Sequence, residues 1–163
     1  MDKQIIKNII IEKQVAIPNY KLIHRDFLFG DKSNYILVGL RRAGKSYLLY
    51  QDIQTRLQKG EQTAQDILYI NFEDERLSSI KAEELGIILD SYMELYPGKQ
   101  PFIYLDEIQN VEGWEKFARR LADSQYRVMI TGSNAKMLGK EMYSTLGGRY
   151  IPKAFWLKNL PIA

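Results

Sequence analysis

Residues 35–50 read YILVGLRRAGKSYLLY, and the fold turns on how this stretch is parsed. YILVGL is a short apolar run suited to a strand buried on both faces of a sheet. From Lys45 onward, Leu48, Leu49, Ile53 and Leu57 form one apolar stripe at helical spacing, and the pattern stops near Gly60. A strand therefore becomes a helix across GLRRAGKS, a junction rich in glycine and cationic residues.

That junction has a chemical reading. Gly39, Gly44, Lys45 and Ser46 match G-x-x-x-x-G-K-[ST], the phosphate-binding loop. Phosphate oxygens need several donors converging at short range. Gly39 and Gly44 allow a tight turn and close backbone approach. The unpaired N–H groups that begin the next helix face the anion, and the helix dipole favours negative charge there. Lys45 reaches the outer phosphates as a point charge, and Ser46 offers a hydroxyl to Mg2+, which prefers hard oxygen ligands. The cofactor-contacting segment is accordingly Gly39, Leu40, Arg41, Arg42, Ala43, Gly44, Lys45, Ser46 and Tyr47. Within it the side chains of Arg41 and Arg42 read as exposed loop arginines. A turn that merely joins strand to helix would leave the full motif match unexplained.

Outward from the junction, strands and helices alternate. Asp2 to Lys13 carries Ile5, Ile6, Ile9 and Ile10 at spacings of an amphipathic helix, and residues 18–34 are irregular. DILYINF (66–72) reads as a strand, followed by EDER (73–76) as a solvated loop. Lys81 to Tyr96 reads as a helix ending at the breaker cluster YPGKQP. FIYLDE (102–107) is a strand, GWEKFARRLAD (113–123) a helix with Trp114, Phe117 and Leu121 on its inner face, and YRVMITGS (126–133) a further strand. NAKMLGKEMYSTL (134–146) reads as a helix and RYIPKAFWL (149–157) as a fifth strand. Such alternation predicts an α/β fold with a parallel sheet covered on both faces, and ligands outside the carboxyl ends of the strands.

Two other strand ends are polar. Asp106 closes an apolar strand, where it would hold Mg2+ through its water shell beside Ser46. Glu107 follows at once, and a carboxylate next to the γ-phosphate orients and polarises an attacking water. TGSN supplies Thr131, Ser133 and Asn134, any of which would sense nucleotide or cap the next helix. Asn134 is the candidate for the catalytic set, with Ser133 as its alternative.

Composition removes several function classes. At 163 residues, with 45% apolar and 26% charged residues, the chain has the make-up of one globular domain. A net charge of +3 argues for neither a nucleic-acid nor a membrane partner. There are no cysteines, which excludes disulfides and thiolate metal sites and suits a reducing cytoplasm. His24 is the only histidine, so an imidazole metal site or a Ser-His triad has little to be built from. The N-terminal run is broken by Lys7 and Glu12, unlike a signal peptide, and no apolar run approaches the ~18 residues of a membrane span. The eleven tyrosines are scattered, with no basic and aromatic interleaving on one element.

Taken together, GLRRAGKSYLL, YINFEDERL, IYLDEIQNVEGWEKFARRL, ITGSNAKML and LGGRYI resemble the nucleotide-binding core of an AAA+ ATPase. They are similar, more closely, to a family of bacterial and archaeal predicted ATPases, over roughly Tyr35 to Ile151. The resemblance implies a P-loop three-layer sandwich with strand order 5-1-4-3-2, ATP and Mg2+ as cofactors, a sensor residue in TGSN, and action as an oligomer with a shared site. It also implies a role for Arg149, placed where such proteins carry an arginine that reaches a neighbour's γ-phosphate. Members of the family continue into a helical lid and a C-terminal domain, whereas this chain ends at Ala163, and AFWLKNLPIA holds no Pro-Leu-Ser-Phe-like segment. Residues 1–163 are therefore expected to form a single nucleotide-binding core, with 1–34 as an N-terminal helix and lead-in and the lid and C-terminal domain absent. The functions so implied are ATP hydrolysis coupled to movement of a protein or nucleic-acid client, or a nucleotide-gated switch with slow hydrolysis.

Overall fold

The computed structural model describes residues 1–26, 29–30, 32–40, 43–133, 137 and 140–155. In chain order the helices are α1 (Lys3–Ala16), α2 (Lys45–Gln58), α3 (Gly86–Leu95), α4 (Glu115–Asp123) and α5 (Lys140–Leu146). The strands are β1 (Tyr35–Gly39), β2 (Ile67–Asn71), β3 (Phe102–Asp106), β4 (Arg127–Gly132) and β5 (Ile151–Phe155). All pairings are parallel, and the order across the sheet is β2-β3-β4-β1-β5, which is the expected order read from the opposite edge.

The sheet separates two apolar layers. On one face Ile6, Ile9 and Ile10 of α1 pack with Ile88 and Tyr92 of α3, Phe117 and Leu121 of α4, and Ile36, Leu68, Ile103 and Val128 of the strands. On the other, α2 provides Leu48, Leu49 and Ile53 against Leu37, Tyr69, Tyr104 and Met129. Because successive strand residues alternate between these layers and both are covered, the strands read as continuous apolar runs. Each fully buried Leu or Ile contributes about 1.5–3 kcal/mol relative to exposure. Trp114 belongs to the larger layer, as its spacing with Phe117 and Leu121 implies.

Two elements differ from the sequence reading. Lys81 is extended, and Ala82–Glu84 forms a 3-10 turn whose Glu84 carboxylate accepts the Lys81 N–H at 3.2 Å, so α3 begins only at Gly86. EDER is more than a solvated loop: the Arg76 guanidinium donates to both carboxylate oxygens of Glu12 on α1, at 2.9 and 2.8 Å, and to Asp74. Asp74 also caps the turn Glu75–Leu77, which buries Leu77. Of the helix expected over 134–146, residues 134–136, 138 and 139 lie outside the described residues, and α5 covers the rest from Lys140. His24 is exposed, 3.7 Å from Asp26, as a structurally idle histidine would be.

Candidate functional site

Register brings the polar strand ends to one edge of the sheet. Asn71 pairs with Asp106 and Val38 with Gly132, so the carboxyl ends of β1, β2, β3 and β4 lie side by side. Gly39 is the last residue of β1, extended and paired with Phe155. The left-handed conformation instead falls on Gly44, at φ 90°, immediately before α2. A Cβ on Gly44 would stand 2.0 Å from a guanidinium nitrogen of Arg25, the end of a long side chain that can shift aside, so it is the positive φ that favours glycine here.

Lys45 is 3% exposed and is folded back into the loop, where Nζ donates to the carbonyls of Leu40 at 2.6 Å and Gly39 at 3.1 Å. The side chain that the motif aims at phosphate thus holds two carbonyls of its own turn. Burial lowers its pKa, opposed by the carboxylates of Glu107 and Asp106. Leu40 and Tyr47 flank the loop with exposed side chains, while Ala43 is buried beneath it. Arg41, Arg42 and Asn134 lie outside the described residues.

Asp106 is completely buried at the end of β3. The Thr131 hydroxyl donates to Oδ1 and the Tyr69 phenol to Oδ2, and the Ser46 hydroxyl stands near enough to favour the ionised carboxylate. Burial raises the Asp106 pKa, and these three hydroxyls oppose the rise. Glu107 adopts a left-handed backbone (φ 55°, ψ 46°), costly for a residue with a Cβ, which turns its side chain away from the sheet. Its N–H is held by Thr131 Oγ1 at 2.9 Å. Glu107 Oε2 accepts the Ser133 hydroxyl at 2.5 Å and the Gln109 amide at 2.6 Å. Ser133 thus touches Glu107 directly.

Ser46 and Asp106 form a pair of hard oxygen donors beside a cationic loop. No cluster of three or more His, Asp or Glu side chains among the described residues would hold a metal alone. That donor set fits Mg2+, which keeps most of its waters and takes phosphate oxygens rather than an all-protein cage.

Arg149 is not brought to this site. Two residues on, Ile151 pairs with Tyr35, the first residue of β1, so Arg149 lies at the edge where the strands begin, opposite Lys45. There its Nε donates to Asp123 at 2.5 Å and Nη1 to the Leu146 carbonyl at 3.0 Å. Arg25, by contrast, was not singled out by the sequence and stands at the loop: Nη1 donates to the Gly44 carbonyl at 3.3 Å. Gln51 clamps the Arg25 backbone on both sides at 2.8 Å, which fixes the lead-in against α2. Between them is a cavity of about 330 Å³ whose lining includes Arg25, Gln51 and Phe29.

Comparison with known proteins places the chain in a family. A family described as an AAA domain matches residues 31–157. An uncharacterised protein of Methanocaldococcus jannaschii is 39% identical over 152 residues, covering 91% of this chain and 33% of that protein. An uncharacterised protein of Haemophilus influenzae is 39% identical over 120 residues, covering 71% of this chain and 29% of its own length. The chain thus spans about a third of the length of these curated relatives. Among solved structures, Aeropyrum pernix Orc1 in complex with DNA matches over 94% of this chain and 45% of its own, with TM-score 0.50 and 14% identity. A DNA polymerase III gamma subunit-related protein from Thermotoga maritima matches over 90% of this chain and 45% of its own, with TM-score 0.48 and 11% identity.

Proposed function

This chain belongs to the AAA domain family, and from that premise we propose that it binds Mg-ATP and hydrolyses it to drive a conformational change in a partner. The observation that carries the reading is the convergence of Lys45, Ser46, Asp106 and Glu107 on one strand edge, with the Ser46 hydroxyl beside the buried Asp106 carboxylate. Bound Mg2+ would supply charge neutralisation across the β- and γ-phosphates. Lys45 would exchange the Gly39 and Leu40 carbonyls for phosphate oxygens, trading neutral acceptors for a charged one. Glu107 would orient the attacking water and accept its proton. Arg149 would act on the nucleotide of a second copy, where a cation at the leaving charge is worth ~10³ to 10⁵ in rate. The client, protein or nucleic acid, would be moved by this cycle.

A second reading has its own observation. Glu107 Oε2 is occupied by Ser133 and Gln109, an arrangement suited to a nucleotide-gated switch whose hydrolysis is slow until that carboxylate is released. Calorimetric titration with ATP in Mg2+ and in EDTA, followed by turnover with and without DNA, RNA or peptide, tests both. No binding at millimolar ATP would remove the proposal; binding without turnover under all conditions would select the switch.

No helix of the described residues is long and apolar enough to cross a membrane.

A further inference from the structure

Tyr69 lies in β2 within the apolar layer under α2 and is 1% exposed. Its hydroxyl donates to Oδ2 of Asp106 and sits 3.2 Å from the Tyr50 hydroxyl on α2. The other carboxylate oxygen, Oδ1, takes the Thr131 hydroxyl. A carboxylate held through one oxygen can still swivel about its side-chain bonds. Held through both, its plane is fixed, and each oxygen keeps a lone pair for further partners such as Ser46 or a cation.

We propose that Tyr69 is a positioning residue for the magnesium site, its phenol fixing the plane of the Asp106 carboxylate from β2 while Tyr50 fixes the phenol from α2. The inference rests on the Mg-ATP reading and deepens it. Tyr69 donates to Asp106, and its other hydroxyl partner is Tyr50. Neither Lys45 nor the turn carbonyls are among its partners, so its influence on nucleotide is confined to the metal. A phenol that merely fills the core would have no such selectivity.

The test is ATP affinity of the full chain by calorimetry, in EDTA and in Mg2+, for the parent and Tyr69→Phe. The ring stays and only the hydroxyl goes. Metal-free affinity should agree with the parent within about twofold. The gain in affinity on adding Mg2+ should shrink by about tenfold, the scale of one charge-assisted hydrogen bond. Mn2+ paramagnetic resonance in the presence of ATP gives a second readout, with more free Mn2+ expected in the variant. Tyr50→Phe removes the next hydroxyl without touching Asp106 and should show the same selective loss, smaller in size. Should Tyr69→Phe not fold, Tyr50→Phe decides: a selective loss of the metal gain supports the role, and an unchanged gain overturns it. An equal loss with and without metal, or an unchanged or larger metal gain in Tyr69→Phe, overturns the role of Tyr69 and leaves Mg-ATP binding standing. A parent that gains nothing from Mg2+ removes the Mg-ATP reading itself, and this inference with it.

Discussion

Thr131 Oγ1 accepts the backbone N–H of Glu107 at 2.9 Å while its own proton goes to Oδ1 of Asp106, so one hydroxyl on β4 registers two adjacent carboxylates. Thr131→Val keeps the shape and strands both partners. Leaving a buried donor unsatisfied costs about 1–3 kcal/mol, so the melting midpoint should fall by several degrees. Thr131→Ser should recover most of it. Melting curves of the three proteins decide the matter, and equal midpoints would mean that Thr131 is only packing.

Lys45→Ala addresses nucleotide binding. For the parent, ATP at a hundredfold excess over Kd should add ~2.7 kcal/mol, or roughly 5–11 °C for a domain of this size. Loss of a charge-assisted contact worth about 1.5–3 kcal/mol should weaken affinity by roughly 10- to 150-fold and remove most of that shift. Since Lys45 also holds the Gly39 and Leu40 carbonyls, unliganded stability should drop too, by on the order of 1 kcal/mol once its burial cost is set against two hydrogen bonds.

Asp106→Asn should separate binding from stability. Burial holds the native Asp106 pKa above its unfolded value of 3.8, so the ionised carboxylate is a burden on the folded state at neutral pH. The stability this group contributes is complete below the unfolded value and is lost as pH rises through the native one. Asparagine carries no such burden. The variant should therefore melt higher than the parent at pH 7, and the gap should close as pH falls toward 4. A gap that widens in acid would reverse the sign of the argument. Mg-dependent ATP affinity should be lost in the same variant.

Glu107→Gln keeps size and hydrogen-bonding capacity and removes the charge that polarises water. ATP should bind and persist unhydrolysed, which trapping of radiolabelled ATP would show directly. Parent-like turnover would transfer the base role to another residue.

Arg149→Ala should lower turnover with little change in affinity, because the residue lies at the opposite edge of its own sheet from Lys45. Mixing Arg149→Ala with Glu107→Gln should partly restore activity, since one interface then pairs an intact Glu107 with a neighbour's intact Arg149. A rate indifferent to protein concentration and to Arg149 would leave this arginine as the structural partner of Asp123 and the Leu146 carbonyl.

The architecture was largely legible because its signals are local. Apolar runs at Ile36–Val38, Ile67–Ile70, Phe102–Leu105 and Val128–Ile130 are each sufficient to mark a doubly buried strand, and the phosphate-loop spacing fixes the connection between one strand and its helix. What escaped notice joins residues distant in sequence. Tyr69 meets Asp106 across 37 positions, and Ser133 meets Glu107 across 26. Arg25 reaches Gly44 from an irregular segment with no periodic pattern. Tyr69 is one tyrosine among eleven, and nothing in its neighbours marks it out. The left-handed backbone at Glu107 was equally hidden, since no glycine or asparagine advertises the turn.

The two faces of the sheet are unequally dressed. Among the described residues one is covered by four helices, whereas α2 is the sole α-helix on the other, pinned from outside by the Gln51 clasp on the lead-in and by Gln54, whose amide donates to the carbonyls of Ile17 at 2.9 Å and Tyr20 at 2.8 Å. Amide hydrogen exchange should resolve that asymmetry as two tiers. Protons of α2 are expected to leak to solvent through a partial opening, while those of β3 and β4 wait for the whole domain to unravel. Because α2 starts at Lys45, ATP bound as proposed would grip the looser tier by its first residue, and its protection should rise far more than that of the central strands.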